Sequence, residues 1–364
     1  MEVIFDPQIF SLQKFGGISR YVTGLATSMF KLRLAGVEIH CPRYSNQYLR
    51  DIPPPVFGGG QDISAQRWWR CKRLFYTATN MASFRRRLSQ KRFDVAHHTY
   101  YWPLPDRLPV RARVTTIHDM IDEVVAPSPV KARLKLRSIR QADHVICVSE
   151  YTRQTLLGLY DVAPEKVTVV HLGRPDIALD ESPGSLSARP YVLYVGPRTG
   201  YKNFDRLLAA YAASDRLKRD FRLACFGGGP FSADEKTAFV ARGMAPGDVL
   251  HFSGDDAALH AAYRATALFV YPSLYEGFGL PPLEAMALGA PVACSNATSI
   301  PEIVGDAGEY FDPADTDSVR QAMEAVLYSG TRRQELVRLG RERSAGFSWD
   351  KCARETFDIY RTIV

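Results

Sequence analysis

Short apolar runs alternate with helical patterns along the chain, and they do so in two series. The first holds VIF at 3–5, VEIHCP at 37–42, FDVAHH at 93–98, ARVTTIHD at 112–119, ADHVICVS at 142–149 and KVTVVHLG at 166–173 as strands. Helices are predicted over Tyr21–Leu34 and onward from Glu150. The second series restarts with YVLYVG at 191–196, FRLACFGGG at 221–229, DVLHFSG at 248–254 and ALFVYPS at 267–273, with helices near 203–213 and 257–265. Such alternation predicts mostly parallel sheets with helices outside. Between the series, SPGSLSARP at 182–190 breaks both periodicities and reads as a linker. The length of 364 residues exceeds what one core ordinarily supports. The expectation is therefore two α/β domains, 1–181 and 190–349, with a cleft between them, because such sheets present ligand-binding loops beyond their strand ends. The last helical pattern, roughly 350–361, suits either domain by periodicity; we assign 350–364 to the first.

Hydrophobic residues at 46% and charged residues at 23% exclude disorder as the global state. A formal charge of +7 permits an anionic ligand or surface without requiring one. Six cysteines, at 41, 71, 147, 225, 294 and 352, form no CxxC pair, which argues against a zinc site and a disulfide scaffold and for a reducing compartment. The start, MEVIFDPQIF, lacks the charge and apolar pattern of a secretory signal, and no segment is apolar for the roughly 18–20 residues a membrane span needs. Any membrane contact is thus expected to be peripheral. Residues 67–92, after a proline- and glycine-rich stretch at 53–66, carry nine basic and no acidic side chains among Trp68, Trp69, Phe75, Tyr76 and Phe84. This suits a solvated helical face over core aromatics, or a surface for an anionic membrane or acceptor. Nucleic acid is the least favoured partner.

Four stretches carry chemistry. Gly16 and Gly17 follow the first strand and open a helix, where missing side chains and unpaired amides suit an anion. His118 and Asp119 end the ARVTTIHD strand; a histidine there can donate to a ligand oxygen or exchange a proton, while Asp119 need not face the same way, since successive strand side chains alternate. His97 and His98 end another strand and are candidate cleft contacts. In VGPRTGYKNF, Arg198 and Lys202 can neutralise a diphosphate, the arginine by a fork and the lysine as a point charge. In YEGFGLPPLEAMALGAPV, Gly277 and Gly279 permit close backbone approach, and Pro281 and Pro282 fit a helix start. Glu276 before that turn can accept from sugar hydroxyls, and Glu284 on the helix can reach ribose hydroxyls or merely complement the helix N-terminus.

FGGISRY, the IHD segment, VGPRTGYKN, FGGG, EGFGLPPLEAMALGAPV and TSIPEIVGDAGEYFDP occur in an order that resembles glycosyltransferase family 4 over nearly the whole chain. The resemblance implies a GT-B fold, two Rossmann-like domains facing a central cleft, and a nucleoside-diphosphate sugar as donor substrate with no cofactor or metal. It implies that Gly17 approaches the donor phosphate, that His118 touches the transferred sugar, and that Arg198 and Lys202 stabilise the leaving diphosphate. Glu276 would bind the sugar and Glu284 the ribose, with Phe278, Gly279 and Leu280 approaching by backbone and Ser149 near the phosphate or acceptor. HLGRPD at 171–176 departs from the PNG-like turn of many relatives. FGGISRY looks like mannosyltransferases of bacterial surface-polysaccharide synthesis, so the first expectation is GDP-mannose, with UDP-hexose and dTDP-rhamnose close behind. The acceptor would be a lipid-linked glycan, met in the cytoplasm or at the inner membrane's cytoplasmic face. From another class, a noncatalytic sugar-nucleotide or membrane-binding protein could retain the same loops.

Overall fold

A computed structural model describes residues 1–66, 73–102, 107–175, 187 and 189–364. Most of the sequence linker, with Trp68 and Trp69 of the basic stretch, lies outside the described residues. The chain divides into two units, one of Met1–Gly173 with Phe347–Val364 and one of Arg174–Gly346.

Unit 1 contains β1 (Glu2–Phe5), β2 (Gly36–Ile39), β3 (Arg43–Tyr44), β4 (Gln61–Asp62), β5 (Val95–His98), β6 (Ala112–Ile117), β7 (His144–Cys147) and β8 (Val167–Val169). Six of these form one parallel sheet in the order β2-β1-β5-β6-β7-β8, and β3 and β4 pair separately. The order reverses between β1 and β5, so the loops leaving those two strands diverge at the carboxyl edge. A ligand crevice forms at such a point. The lobe carrying β3 and β4 rests on the β1 loop: the Ser45 and Gln47 amides donate to the Phe10 and Lys14 carbonyls, each at 3.0 Å. The helix Gly17–Lys31 starts four residues earlier than its apolar periodicity indicates, because its first turn, GISR, holds a single apolar side chain and so carries no apolar stripe.

The C-terminal helix Trp349–Ile363 packs on the helix Gly17–Lys31. A Cβ at Gly24 would stand 2.6 Å from the Trp349 ring, so the glycine lets the two helices close on each other. Ser28 donates to Asp350, and the Tyr360 hydroxyl meets His97 Nδ1 at 2.5 Å.

Unit 2 holds β9 (Tyr191–Val195), β10 (Arg222–Phe226), β11 (Val249–Phe252), β12 (Leu268–Tyr271), β13 (Val292–Ser295) and β14 (Gly308–Phe311). All pair in parallel in the order β11-β10-β9-β12-β13-β14, reversing between β9 and β12. Strands β9, β12 and β13 are buried almost throughout, as expected of strands with helices on both faces. Val192, Leu223 and Val270 pack with Leu207, Tyr211 and Met323 of the flanking helices. Sequence periodicity did not mark β13 and β14, each four residues long, as strands.

Candidate functional site

In unit 2 the loops after β9 and β12 meet at the reversal of strand order. Asn203, at φ 57°, ties them together: its side-chain amide donates to the Pro272 carbonyl at 3.0 Å and the Pro313 carbonyl at 2.8 Å. Beside it Lys202 Nζ lies 2.5 Å from Glu276 Oε1 and 3.3 Å from the Tyr271 hydroxyl. Both members of this ion pair are largely shielded, at 15% and 12% side-chain exposure.

Glu276 is held from behind. Its amide donates to Thr298 Oγ1 at 3.1 Å, and Ser299 Oγ donates to the Glu276 and Phe278 carbonyls at 2.9 Å each. Gly279, at φ 116°, turns the chain into the helix Leu280–Ala287, whose Pro281 and Pro282 remove only amides that the first turn would leave unpaired. Phe278 is buried under this turn. Glu284 is also buried and accepts from the Tyr263 hydroxyl at 3.4 Å, so the two glutamates face different partners. The Ser273 hydroxyl in the same loop is buried with no hydrogen-bond partner among the described residues.

Arg198 is arranged differently from the diphosphate-facing fork that its sequence setting suggests. Its Nε meets Glu235 at 2.5 Å, Nη1 the Gly227 carbonyl at 3.0 Å, and Nη2 the Gly229 carbonyl at 3.0 Å and Glu235 Oε2 at 3.2 Å. One Nη1 hydrogen has no acceptor among the described residues. Gly227, Gly228 and Gly229 have φ of 84°, 69° and 75°, a run that only glycine adopts without strain and that turns the Gly227 and Gly229 carbonyls toward the guanidinium. Glu235 closes a capping box with Ser232 as well.

In unit 1, Gly16 and Gly17 open the helix Gly17–Lys31, which has no side-chain cap and no acid in its first turn. The Gln13 side chain occupies the space a Cβ at Gly16 would need. His118, partly exposed at the end of β6, packs edge-on to Tyr21 with ring centres 5.1 Å apart. Its amide donates to the Tyr101 hydroxyl at 3.0 Å. Burial and the nearby Lys135 cation push its imidazole down to about 3, so the ring is neutral at neutral pH. Lys135, itself fully buried, donates to the Asp119 carbonyl at 2.9 Å and Glu123 at 2.8 Å and thereby fixes the turn after His118.

His97 and Ser149 do not present polar atoms to an acceptor. His97 is buried with both ring nitrogens engaged, by Tyr360 and by Thr116 at 2.8 Å. Ser149 is buried as the cap of the helix Glu150–Leu159 and bonds Thr152. His98 is buried too, with Nε2 unpaired among the described residues, and burial beside Arg113 pushes it down to about 3. Of the basic stretch, Tyr76 and Phe84 are core and Arg87 pairs with Glu38 at 2.6 Å, whereas Leu74, Phe75, Arg85 and Arg86 are exposed. No helix among the described residues is long and apolar enough to cross a membrane.

Thr298, Ser299, Glu235 and Lys135 were not singled out from sequence. Only Glu235 carried a usable local signal, the SADE capping box at 232–235.

Two parallel-sheet Rossmann-like units, each reversing its strand order beside the loops described above, have the architecture of the GT-B fold. Residues 15–177 match the family described as Glycosyltransferase Family 4, and residues 177–343 match Glycosyl transferases group 1. An O-antigen chain mannosyltransferase B of Escherichia coli is 31% identical over 74% of this chain and 75% of its own. The chain belongs to glycosyltransferase family 4. The serotype-specific mannosyltransferase WbdA of E. coli is 29% identical over 60% of this chain but only 29% of its own length. The fold recurs in Anabaena Alr3699/HepE, solved with UDP and glucose, with a TM-score of 0.75 at 15% identity over the full length of both chains.

Proposed function

We propose that this chain moves mannose from GDP-mannose to a hydroxyl of a glycan, with retention at the anomeric carbon, in the synthesis of a bacterial surface polysaccharide. The observation that carries the reading is the Lys202–Glu276 ion pair at the switch point of unit 2, where sheets of this kind receive their ligands. Mannose is supported by the O-antigen relative, which matches most of both chains.

The reaction breaks the bond from the anomeric carbon to the phosphate oxygen and forms one to the acceptor oxygen on the same face. The acceptor proton passes to the departing phosphate. Negative charge therefore grows on the diphosphate, and a cation already fixed in place stabilises that charge more than it stabilises the ground state. Lys202 supplies this cation. Glu276 orients Lys202 and takes a sugar hydroxyl, and it is not a covalent nucleophile. Arg198 acts mainly through the Gly227–Gly229 loop that it shapes, and directly only through its remaining Nη1 hydrogen. Neutral His118 donates one hydrogen bond to the transferred sugar, and the Gly17 amide meets a donor phosphate. Side-chain cations serve in place of a metal. A lipid-linked acceptor fits the exposed Leu74, Phe75, Arg85 and Arg86 of the helix Arg73–Gln90, which would rest on the cytoplasmic leaflet of the inner membrane.

The test incubates purified protein with GDP-mannose, UDP-hexoses or dTDP-rhamnose and synthetic lipid-linked glycans, then determines product mass, linkage and anomeric configuration. Turnover of UDP-hexose or dTDP-rhamnose alone replaces the donor, and an inverted product removes retention. Loss of activity on chelation, restored by one divalent ion, removes the metal-free mechanism. Equal liposome binding after neutralising Arg85 and Arg86 removes the membrane contact.

A further inference from the structure

A cavity of about 560 Å³ opens at the carboxyl end of β2, outside the loops described above and within the range of roughly 300–1,000 Å³ usual for small-molecule sites. Its floor includes Glu38 and His40, its wall Arg87 and Gln90 of the helix Arg73–Gln90, and its rim Pro54, Pro55 and Gly58–Gly60. The rim is docked on the sheet, since the Val56 carbonyl accepts the Ile39 amide at 2.7 Å.

The polar groups here are partnered yet keep spare capacity. Arg87 grips Glu38 through Nε at 2.6 Å and Nη2 at 2.8 Å, and its Nη1 has no acceptor among the described residues. His40 shares a hydrogen bond with Ser83 through Nε2 at 3.0 Å, and its Nδ1 lies 3.8 Å from Glu38. Lys91 bridges Glu2 at 2.7 Å and Glu38 at 3.6 Å. Of these charges Arg87 and Glu38 line the cavity and balance each other, the Lys91–Glu2 pair lies outside its lining, and with His40 neutral the charge of the lining cancels. A phosphate would find no net attraction here. A neutral polyol finds a donor in Arg87, an acceptor in the free lone pairs of Glu38, and apolar proline rings for its C–H face.

We infer that this cavity is a subsite for one neutral sugar unit of the acceptor glycan, held by the Arg87–Glu38 fork against Pro54 and Pro55. It lies on the same carboxyl edge as the Gly16–Gly17 loop, one strand further out. The assignment to the acceptor rests on the function proposed above.

Two variants test it. Gly58→Phe adds a ring at the cavity rim without a clash at its Cβ, since nothing stands within 4 Å there, and without changing either ion-paired residue. Arg87→Met removes the fork and keeps the apolar stem. The probes are α-linked mannotetraose and inorganic phosphate, followed by ligand-observed NMR, alongside transfer assays on mono- and tetrasaccharide acceptors. The expected result is tetraose binding weakened about tenfold or more in both variants. The tetrasaccharide KM should rise about as much, with monosaccharide transfer unchanged. Tetraose binding equally well to wild type and to a folded Gly58→Phe, absent tetraose binding by a protein that transfers sugar, or competition by phosphate each overturns the subsite. A wild type that binds tetraose through this cavity but transfers no sugar keeps the subsite and removes the proposed reaction.

Discussion

Replacing Lys202 with Met separates the two things the Lys202–Glu276 pair does. The substitution leaves the Glu276 carboxylate at 12% side-chain exposure without its cation. Breaking one side of a buried pair costs roughly 3–5 kcal/mol, and residual exposure together with the Tyr271 hydroxyl nearby places this case near 3 kcal/mol. Loss of a fixed charge that acts on the developing diphosphate is separate, and corresponds to a fall of about 10²–10³ in kcat. Glu276→Gln in the Lys202→Met background removes the stranded charge, so the double variant should regain about 2 kcal/mol in urea unfolding while transfer stays as low as in the single variant. The two readouts must therefore diverge. Stability losses that simply add to within about 0.5 kcal/mol would show that the pair is not coupled. A folded Lys202→Met protein with transfer within about threefold of wild type would remove the lysine from the reaction.

Acid should unfold unit 1 early. His97, His98 and His118 are all held neutral, the latter two at about 3, against an ordinary value of 6.5. Depressed values mean that stability is fully present above pH 6.5 and is lost as pH falls toward 3; at pH 5 His98 and His118 each remove about 2 kcal/mol, which urea unfolding at pH 7 and 5 will read and a His98→Gln variant will reduce. Glu235→Ala should raise the donor KM about tenfold with little change in kcat, because it loosens the Arg198-bound glycine loop, while Glu235→Gln keeps part of the effect; equal values in all three proteins refute this. Gly24→Ala forces a Cβ to 2.6 Å from the Trp349 ring and should cost about 1–3 kcal/mol by calorimetry, and an unchanged midpoint would mean that the C-terminal helix is not packed there.

How far the sequence reached depends on the range of each interaction. At the switch point of unit 2 the strands β9 and β12 were legible because parallel strands covered on both faces are apolar without interruption, as YVLYV and LFVY are, and GFG marks the turn beyond β12. Short strands such as β14 escaped because GEYF has two half-exposed members. In the site, residue type was legible but the use of each side chain was not. Lys202 and Glu276 are 74 positions apart, so nothing local says that the acid already holds the cation. The basic stretch at 67–92 shows the same limit: its composition cannot tell Arg87, which pairs with Glu38, from Arg85 and Arg86, which face solvent.

Arg198 makes the physical reason plain. A guanidinium has five N–H donors, and a glycine run in left-handed conformation turns several carbonyls the same way; carbonyls that are not paired within a sheet need donors once shielded from water. FGGG and VGPR follow neighbouring strands, so the nearest strong donor to those carbonyls is Arg198. Each motif read alone suggests a ligand contact, yet together they satisfy each other, with Glu235 balancing the charge. Lys202, on the far side of the same loop and facing the switch point, has no such competitor among the carbonyls and pairs instead with Glu276. The division of labour between the two cations thus follows from which neighbouring loop each one meets, the loop after β10 for Arg198 and the loop after β12 for Lys202. It predicts that the effect of Arg198→Lys should fall on donor affinity, since a lysine cannot satisfy two carbonyls and a carboxylate at once, whereas Lys202→Arg should fall on turnover. Measuring donor dissociation and single-turnover rates in both variants decides it, and the reverse pattern would return Arg198 to the diphosphate.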